Sequence, residues 1–149
     1  MPVYLLDTDI FSEYLNEETL PTSDAPITRR IAALAPGEVT LCIVTLTEVM
    51  RGMLNLLQRM EKVGKDATGY ALLMRADYAL HRFPIASYTE EAHIHFTGFS
   101  PAIRRLGRAD CQIAAVALAN NYTIVTRNRR HFSQIPGILI EDWTRTEQI

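Results

Sequence analysis

The chain has 149 residues, 48% of them hydrophobic and 21% charged, which suits one domain with a buried core and excludes a disordered tail. Two cysteines, Cys42 and Cys111, exclude a disulfide scaffold. A formal net charge of −2, taken alone, argues against a nucleic-acid partner.

The first predicted element is a short strand at Val3–Leu6. Asp7, Thr8 and Asp9 follow it and are good helix-capping types, so Ile10–Leu15 reads as a short helix. Residues 16–24 are polar and contain Pro21, a loop. A helix is expected over Ala25–Leu34, with Pro26 in its first turn, and Pro36-Gly37 turns the chain. Val39–Val44 is almost wholly apolar and reads as a buried strand. From Thr45 to about Lys62 a long helix carries Leu46, Val49, Met50, Met53, Leu57 and Met60 on one face. A polar tip at 62–69 leads into a second long helix, starting at Asp66 or Thr68 and running to about Arg82. Phe83–Ala86 is a short strand, and Ser87-x-x-Glu90 fits a capping box that opens a helix to about Phe99. Pro101–Leu106 is a short helix before Gly107, and Arg108–Asn121 a strong one. Thr123–Thr126 is a strand, Arg129–Phe132 a turn or short helix, and Gly137–Ile140 the last strand. This alternation predicts an α/β/α sandwich around a small parallel sheet of four to five strands, as a single domain over 1–149. No run of about 18 apolar residues is long enough to span a membrane, and no basic segment precedes an apolar stretch at the start. The expected location is the cytoplasm.

The charge is unevenly spread. Residues 1–100 carry a net of −5, residues 101–131 a net of +5, and residues 132–149 a net of −2, the last from Arg145 against Glu141, Asp142 and Glu147. The basic block holds Arg104, Arg105, Arg108, Arg127, Arg129 and Arg130 against Asp110. Two readings stand: a phosphate-binding surface, or a solvated arginine-rich face.

Parallel α/β sheets bind ligands beyond the carboxyl ends of their strands. Asp7 follows the first strand, Glu48 lies in the first turn after the second, and Asn128 follows Thr123–Thr126. Asp110 opens the helix before that strand, at the head of an apolar face made by Ile113, Ala114, Ala117 and Leu118. A carboxylate there needs a partner. No lysine follows Lys65, so an arginine or a metal ion is expected in that place. Carboxylates gathered in a small space select a hard cation, Mg²⁺ or Mn²⁺, and adjoining arginines suit a phosphate backbone. Such a layout serves metal-dependent phosphodiester hydrolysis. The alternative for each acid singly is structural: Asp7 as a helix cap, Thr45-x-x-Glu48 as a capping box, Asp110 as a cap of its own helix.

Four segments carry a family resemblance. LLDTDIFSEYL at 5–15, TLTEVMRG at 45–52, GRADCQIAAVAL at 107–118 and IVTRNRRHFSQIPGILIEDW at 124–143 resemble, in order, the conserved segments of PIN domains, the last most closely those of VapC-type toxins. The resemblance implies a Mg²⁺- or Mn²⁺-dependent endoribonuclease, the toxin of a type II toxin–antitoxin pair. It implies Asp7 and Asp110 as direct metal ligands and Glu48 acting directly or through water. Thr126 would support the cluster through its hydroxyl. It further implies a cognate antitoxin partner and a homodimer. Arg108, Arg127, Arg129 and Arg130 are the candidates for RNA contacts.

Three positions depart from the family pattern. Asn128 stands where a fourth acid is common, His131 where the toxins often have Glu, and Asp9 where Asn is usual. We take Asp9 as a partial replacement for the missing negative charge. Asn128 keeps a second reading open, a PIN-fold RNA-binding module that no longer cuts. A third keeps the nuclease without the toxin role, as an RNA-processing enzyme. Setting Asp7, Asp9, Glu48 and Asp110 aside as site acids leaves a net of +2, so the near-neutral total is compatible with RNA.

Overall fold

A computed structural model describes residues 2–144; Arg145 and Glu147 lie outside the described residues. Five strands form one parallel sheet in the order β3-β2-β1-β4-β5: β1 (Tyr4–Leu6), β2 (Val39–Cys42), β3 (Ile85–Ala86), β4 (Thr123–Val125) and β5 (Leu139–Glu141). The helices are α1 (Thr8–Glu17), α2 (Pro26–Ala32), α3 (Ile43–Lys62), α4 (Asp66–Leu80), α5 (Glu90–Thr97), α6 (Pro101–Arg104), α7 (Arg108–Asn120) and α8 (Arg129–Phe132). The expected α/β/α sandwich is the one observed.

Successive strand residues point to opposite faces, and this divides the core in two. Leu6, Leu41 and Val125 join Ile10, Phe11 and Tyr14 of α1, Ile27 of α2, and the buried faces of α3 and α4. Leu5, Cys42 and Ile124 join Ile113–Ala117 of α7, with Ala92 of α5 and Phe132 of α8. Chain order runs outward from β1 through β2 to β3, then returns to β4 on the other flank of β1. The switch of direction therefore lies between β1 and β4, where open parallel sheets form a crevice.

Two acids outside that crevice, one buried and one exposed, hold helices together. Glu17 is buried, and α2 has no side-chain cap of its own. Glu17 supplies one, accepting from the N–H groups of Ile27 (3.2 Å) and Thr28 (2.8 Å) and from the Thr28 hydroxyl (2.9 Å). Glu18, just past the end of α1, accepts from Arg75 Nε (2.9 Å) and Arg82 Nη1 (3.3 Å), which ties α1 to α4.

Several expected boundaries move. The second strand ends at Cys42, because Ile43 and Val44 already belong to α3, and Cys42 Sγ accepts from Val44 N (3.4 Å) as the cap. The cap of α5 is Thr89, not Ser87, with the Thr89 hydroxyl accepting from Ala92 N (3.2 Å). The strand expected from Phe83 shortens to two residues, and the last strand shifts to Leu139–Glu141. The polar stretch at 62–69 does form the tip between α3 and α4.

Candidate functional site

Asp7 follows β1 directly and caps α1, with Oδ1 accepting from Ile10 N at 2.8 Å. Its own N–H donates to Val125 O (3.0 Å), so it stands at the seam of β1 and β4. Only 4% of Asp7 is exposed. Burial pushes its carboxyl up to about 6 from an ordinary 3.8; bonds from the Thr126 hydroxyl and Ile10 N–H pull it back, and Asp9 and Asp110 push it further. Capping and cleft placement therefore coexist in one residue.

Thr126 is fully buried at the end of β4, and its Oγ1 also accepts from Asn128 N (2.9 Å). Asn128 Nδ2 reaches His131 Nδ1 at 2.8 Å. That same Nδ1 lies 3.3 Å from Asp110 Oδ2. The two contacts ask opposite roles of one nitrogen: acceptor toward Asn128, donor toward Asp110.

Asp110 is half-buried in the first turn of α7 and does not cap it. The residue before that helix is Gly107, whose φ of +118° and ψ of 147° suit glycine alone. Burial raises the Asp110 carboxyl, His131 lowers it, and Glu48 and Asp9 raise it again. Of the two expected partners, an arginine or a metal ion, no arginine pairs with Asp110 among the described residues; His131 stands beside it. Lysine and arginine content alone does not point to His131, an imidazole that α8 brings to Asp110 through the fold.

Glu48 sits in the second turn of α3, since that helix starts at Ile43, not Thr45. Thr45 is fully buried and caps nothing. The Thr8 hydroxyl donates to Glu48 Oε1 (2.6 Å) and lies 3.3 Å from the Thr45 hydroxyl. Thr8 was legible as a capping type but not as a contact of Glu48, which is distant in sequence. Asp9 is exposed in the first turn of α1, and both Asp7 and Asp110 feel its charge.

Asp7, Asp9, Glu48, Asp110, Thr126 and Asn128 thus collect at the carboxyl edge of the sheet. Their acids are hard oxygen donors, and the charges of Asp9 and Glu48 add to burial in raising the Asp7 or Asp110 carboxyl; this chemistry fits a divalent cation. Among the described residues, no three His, Cys, Asp or Glu side chains are gathered into a metal-holding group as they are placed in this structure. The fit is one of donor type and charge, with Glu48 turned to Thr8 and Asp110 to His131.

The arginines disperse. Arg127 Nη1 pairs with Glu13 Oε1 of α1 at 3.4 Å. Arg129 and Arg130 are exposed on α8. Arg108 lies over the ring of Phe96, with Cζ 5.1 Å from its centroid.

A parallel sheet with a strand-order switch, and acids gathered on its carboxyl edge, defines an α/β protein with an acidic switch-point cleft. The chain belongs to the PIN-domain family, whose model matches residues 4–138. It is similar to Ribonuclease VapC2 of Rickettsia felis, 24% identical over 148 residues that span 96% of this chain and 99% of that protein. It is also similar to the tRNA(fMet)-specific endonuclease VapC of Salmonella typhimurium, 35% identical over 68 residues, 43% of this chain and 52% of that one. Among solved structures, VapBC2 from Rickettsia felis bound to a promoter DNA fragment contains a similar chain. Its TM-score is 0.69 at 23% identity, covering 95% of this chain and 98% of that chain. No helix among the described residues is long and apolar enough to cross a membrane.

Proposed function

We propose that this protein is a VapC-type endoribonuclease that hydrolyses RNA phosphodiester bonds with Mg²⁺ or Mn²⁺, and the toxin of a pair neutralised by a cognate antitoxin. The observation that carries this is Asp7: a carboxyl buried at the β1–β4 seam, coupled to Asp9 and Asp110, in a chain of the PIN family. Relatives named as ribonucleases, and a similar chain from a VapBC complex, support the class of substrate and of partner.

Asp7, Asp110 and Glu48 would hold the ion, Asp9 would add charge beside it, and Thr126 and Asn128 would support the cluster. A bound divalent ion supplies Lewis acidity and a nucleophilic water for attack at phosphorus. The chain's own groups prepare the cleft. Ile10 N–H and the Thr126 hydroxyl fix the Asp7 carboxylate, Thr8 orients Glu48, and His131 sets the position of Asp110. Arg127, Arg129 and Arg130 flank the cleft as contacts for the RNA backbone, and Arg108 stands on its α5 side. A homodimer in the cytoplasm is part of the same reading.

The test is RNA cleavage by the unmutated chain and by Asp110→Asn, with Mg²⁺ and with EDTA. Cleavage by the unmutated chain, lost in EDTA and in Asp110→Asn, is expected; equal cleavage by both proteins defeats the metal mechanism. Growth arrest on expression, relieved by a co-expressed antitoxin, tests the toxin role. One observation favours a second reading. Asn128 and His131 bring no negative charge to the Asp110 side, as a PIN-fold module that binds RNA without cutting would tolerate. That module binds RNA in the same assay and gives no Mg²⁺-dependent turnover.

A further inference from the structure

Beside the cleft, on the α5 side of α7, lies a second feature that the acids do not explain. Phe96, Thr97, Arg104 and Arg108 line an open cavity of about 240 Å³. Arg108 Cζ stands 5.1 Å from the Phe96 ring centroid. Arg104 Nη2 donates to Thr97 O at 2.6 Å, which fixes its guanidinium at the rim. Both arginines are exposed, and neither has a carboxylate partner among the described residues, whereas Arg30, Arg75, Arg82 and Arg127 each have one. Other arginines among the described residues are also unpaired; here two guanidinium groups share one cavity with an aromatic ring. Two like charges in one cavity repel each other unless an anion joins them.

The ring does not stand alone. The His93 ring is 5.9 Å from Phe96, and the Tyr88 ring is 5.7 Å from His93. Tyr88 follows β3 at the carboxyl edge of the sheet, so the row of π-faces runs outward from that edge to Arg108. Arg108 shares the first turn of α7 with Asp110. The cavity and the acidic cleft therefore share the first turn of α7.

We infer that this cavity is a subsite for one unpaired nucleotide of a single-stranded RNA. Arg104 and Arg108 take its phosphate, and the Phe96–Arg108 stack and His93 take its base. Guanidinium planes and aromatic rings are the platforms on which splayed bases stack. An acidic peptide would use the arginines but leaves the ring row without a role. The cavity is open and below the volume of an ordinary small-molecule pocket, about 300 Å³ or more, so it holds part of a longer ligand rather than a whole enclosed one. The inference rests on the ribonuclease reading and names the part of the substrate that lies outside the reacting bond.

The test separates the two. The full chain carrying Asp110→Asn, kept in EDTA, is titrated against a short fluorescein-labelled single-stranded oligoribonucleotide, read by anisotropy. Phe96→Leu and Arg104→Gln, each added to that background, are expected to weaken binding about fivefold or more. Arg104→Gln also lowers the slope of log affinity against log salt by about 0.7. Arg104 is on the surface, so its variant reads the subsite even where Phe96→Leu loosens the core. Arg59→Gln, at the far end of α3, leaves the affinity as it was. Unchanged affinity in both test variants overturns the subsite, and continued Mg²⁺-dependent cleavage by the unmutated chain then leaves the ribonuclease reading in place. Equal affinity for duplex RNA overturns base stacking. An oligoglutamate peptide that displaces the RNA and depends equally on Phe96 makes the cavity a protein-docking site, which also overturns the inference. No RNA affinity in any form of the chain overturns the inference and the ribonuclease reading together.

Discussion

The Thr8 hydroxyl of α1 donates to Glu48 Oε1 of α3 at 2.6 Å, joining two helices forty residues apart in sequence. One proton on a short side chain sets where the Glu48 carboxylate points. Thr8→Val keeps the shape and removes that donor. We expect a stability loss of about 1 kcal/mol, the low end for a half-exposed bond to a charged group, read by urea unfolding. RNA cleavage should fall in Thr8→Val and persist in Thr8→Ser, which restores the hydroxyl.

Asp7 gives the chain a pH signature. Its carboxyl is held near 6 in the fold against 3.8 ordinarily, so the fold disfavours the charged form. Below about pH 3 both states are protonated and no penalty exists. As pH rises toward 6 the unfolded chain releases its proton first, and stability falls; above 6 the full penalty remains. A shift of about two units corresponds to an order of 3 kcal/mol. Asp7→Asn keeps an oxygen for Ile10 N–H and loses the charge. In EDTA it should unfold at higher urea than the unmutated chain at pH 7, with the gap closing by about pH 3. A gap that widens on acidification would contradict this sign.

Asp9 tests the compensation for Asn128. If its charge supports the ion, Asp9→Asn should weaken Mn²⁺ binding several-fold by titration calorimetry, with the fold unchanged because the side chain is exposed. Unaltered Mn²⁺ affinity would remove Asp9 from the site.

Gly107 holds the entry to α7 at φ +118°, and nothing lies within 4 Å of an added Cβ there. Space is not the obstacle; backbone strain is. Gly107→Ala should cost about 1–3 kcal/mol by thermal or urea unfolding. If the chain relieves that strain by moving the first turn of α7, Asp110 shifts with it. Cleavage should then fall by more than the loss of folded protein explains.

Much of this was written locally. Apolar runs bounded by turn residues marked the strands, and the acids after them marked the carboxyl edge. Asp7, Glu48 and Asp110 could therefore be assigned to one edge without coordinates. What failed was set by contacts between distant segments. Cys42 is not a usual capping type, so its capping of α3 has no signal in the sequence, and the β-branched Ile43 and Val44 extend the strand pattern past its end. Thr89 won over Ser87 because the helix starts where its hydroxyl meets Ala92 N–H. The histidine at Asp110 and the threonine at Glu48 are tertiary partners with no periodicity to announce them.

Helix α1 is a rod of ten residues, about 15 Å long. At its start, Asp7 is fastened to β4 through Val125 O; just beyond its finish, Glu18 is fastened to α4 through Arg75 and Arg82. The cleft is thus registered against two landmarks, the sheet behind it and the long hairpin at the far end of the rod. The acids of the cleft and the α3–α4 hairpin are thus the two ends of one short strut.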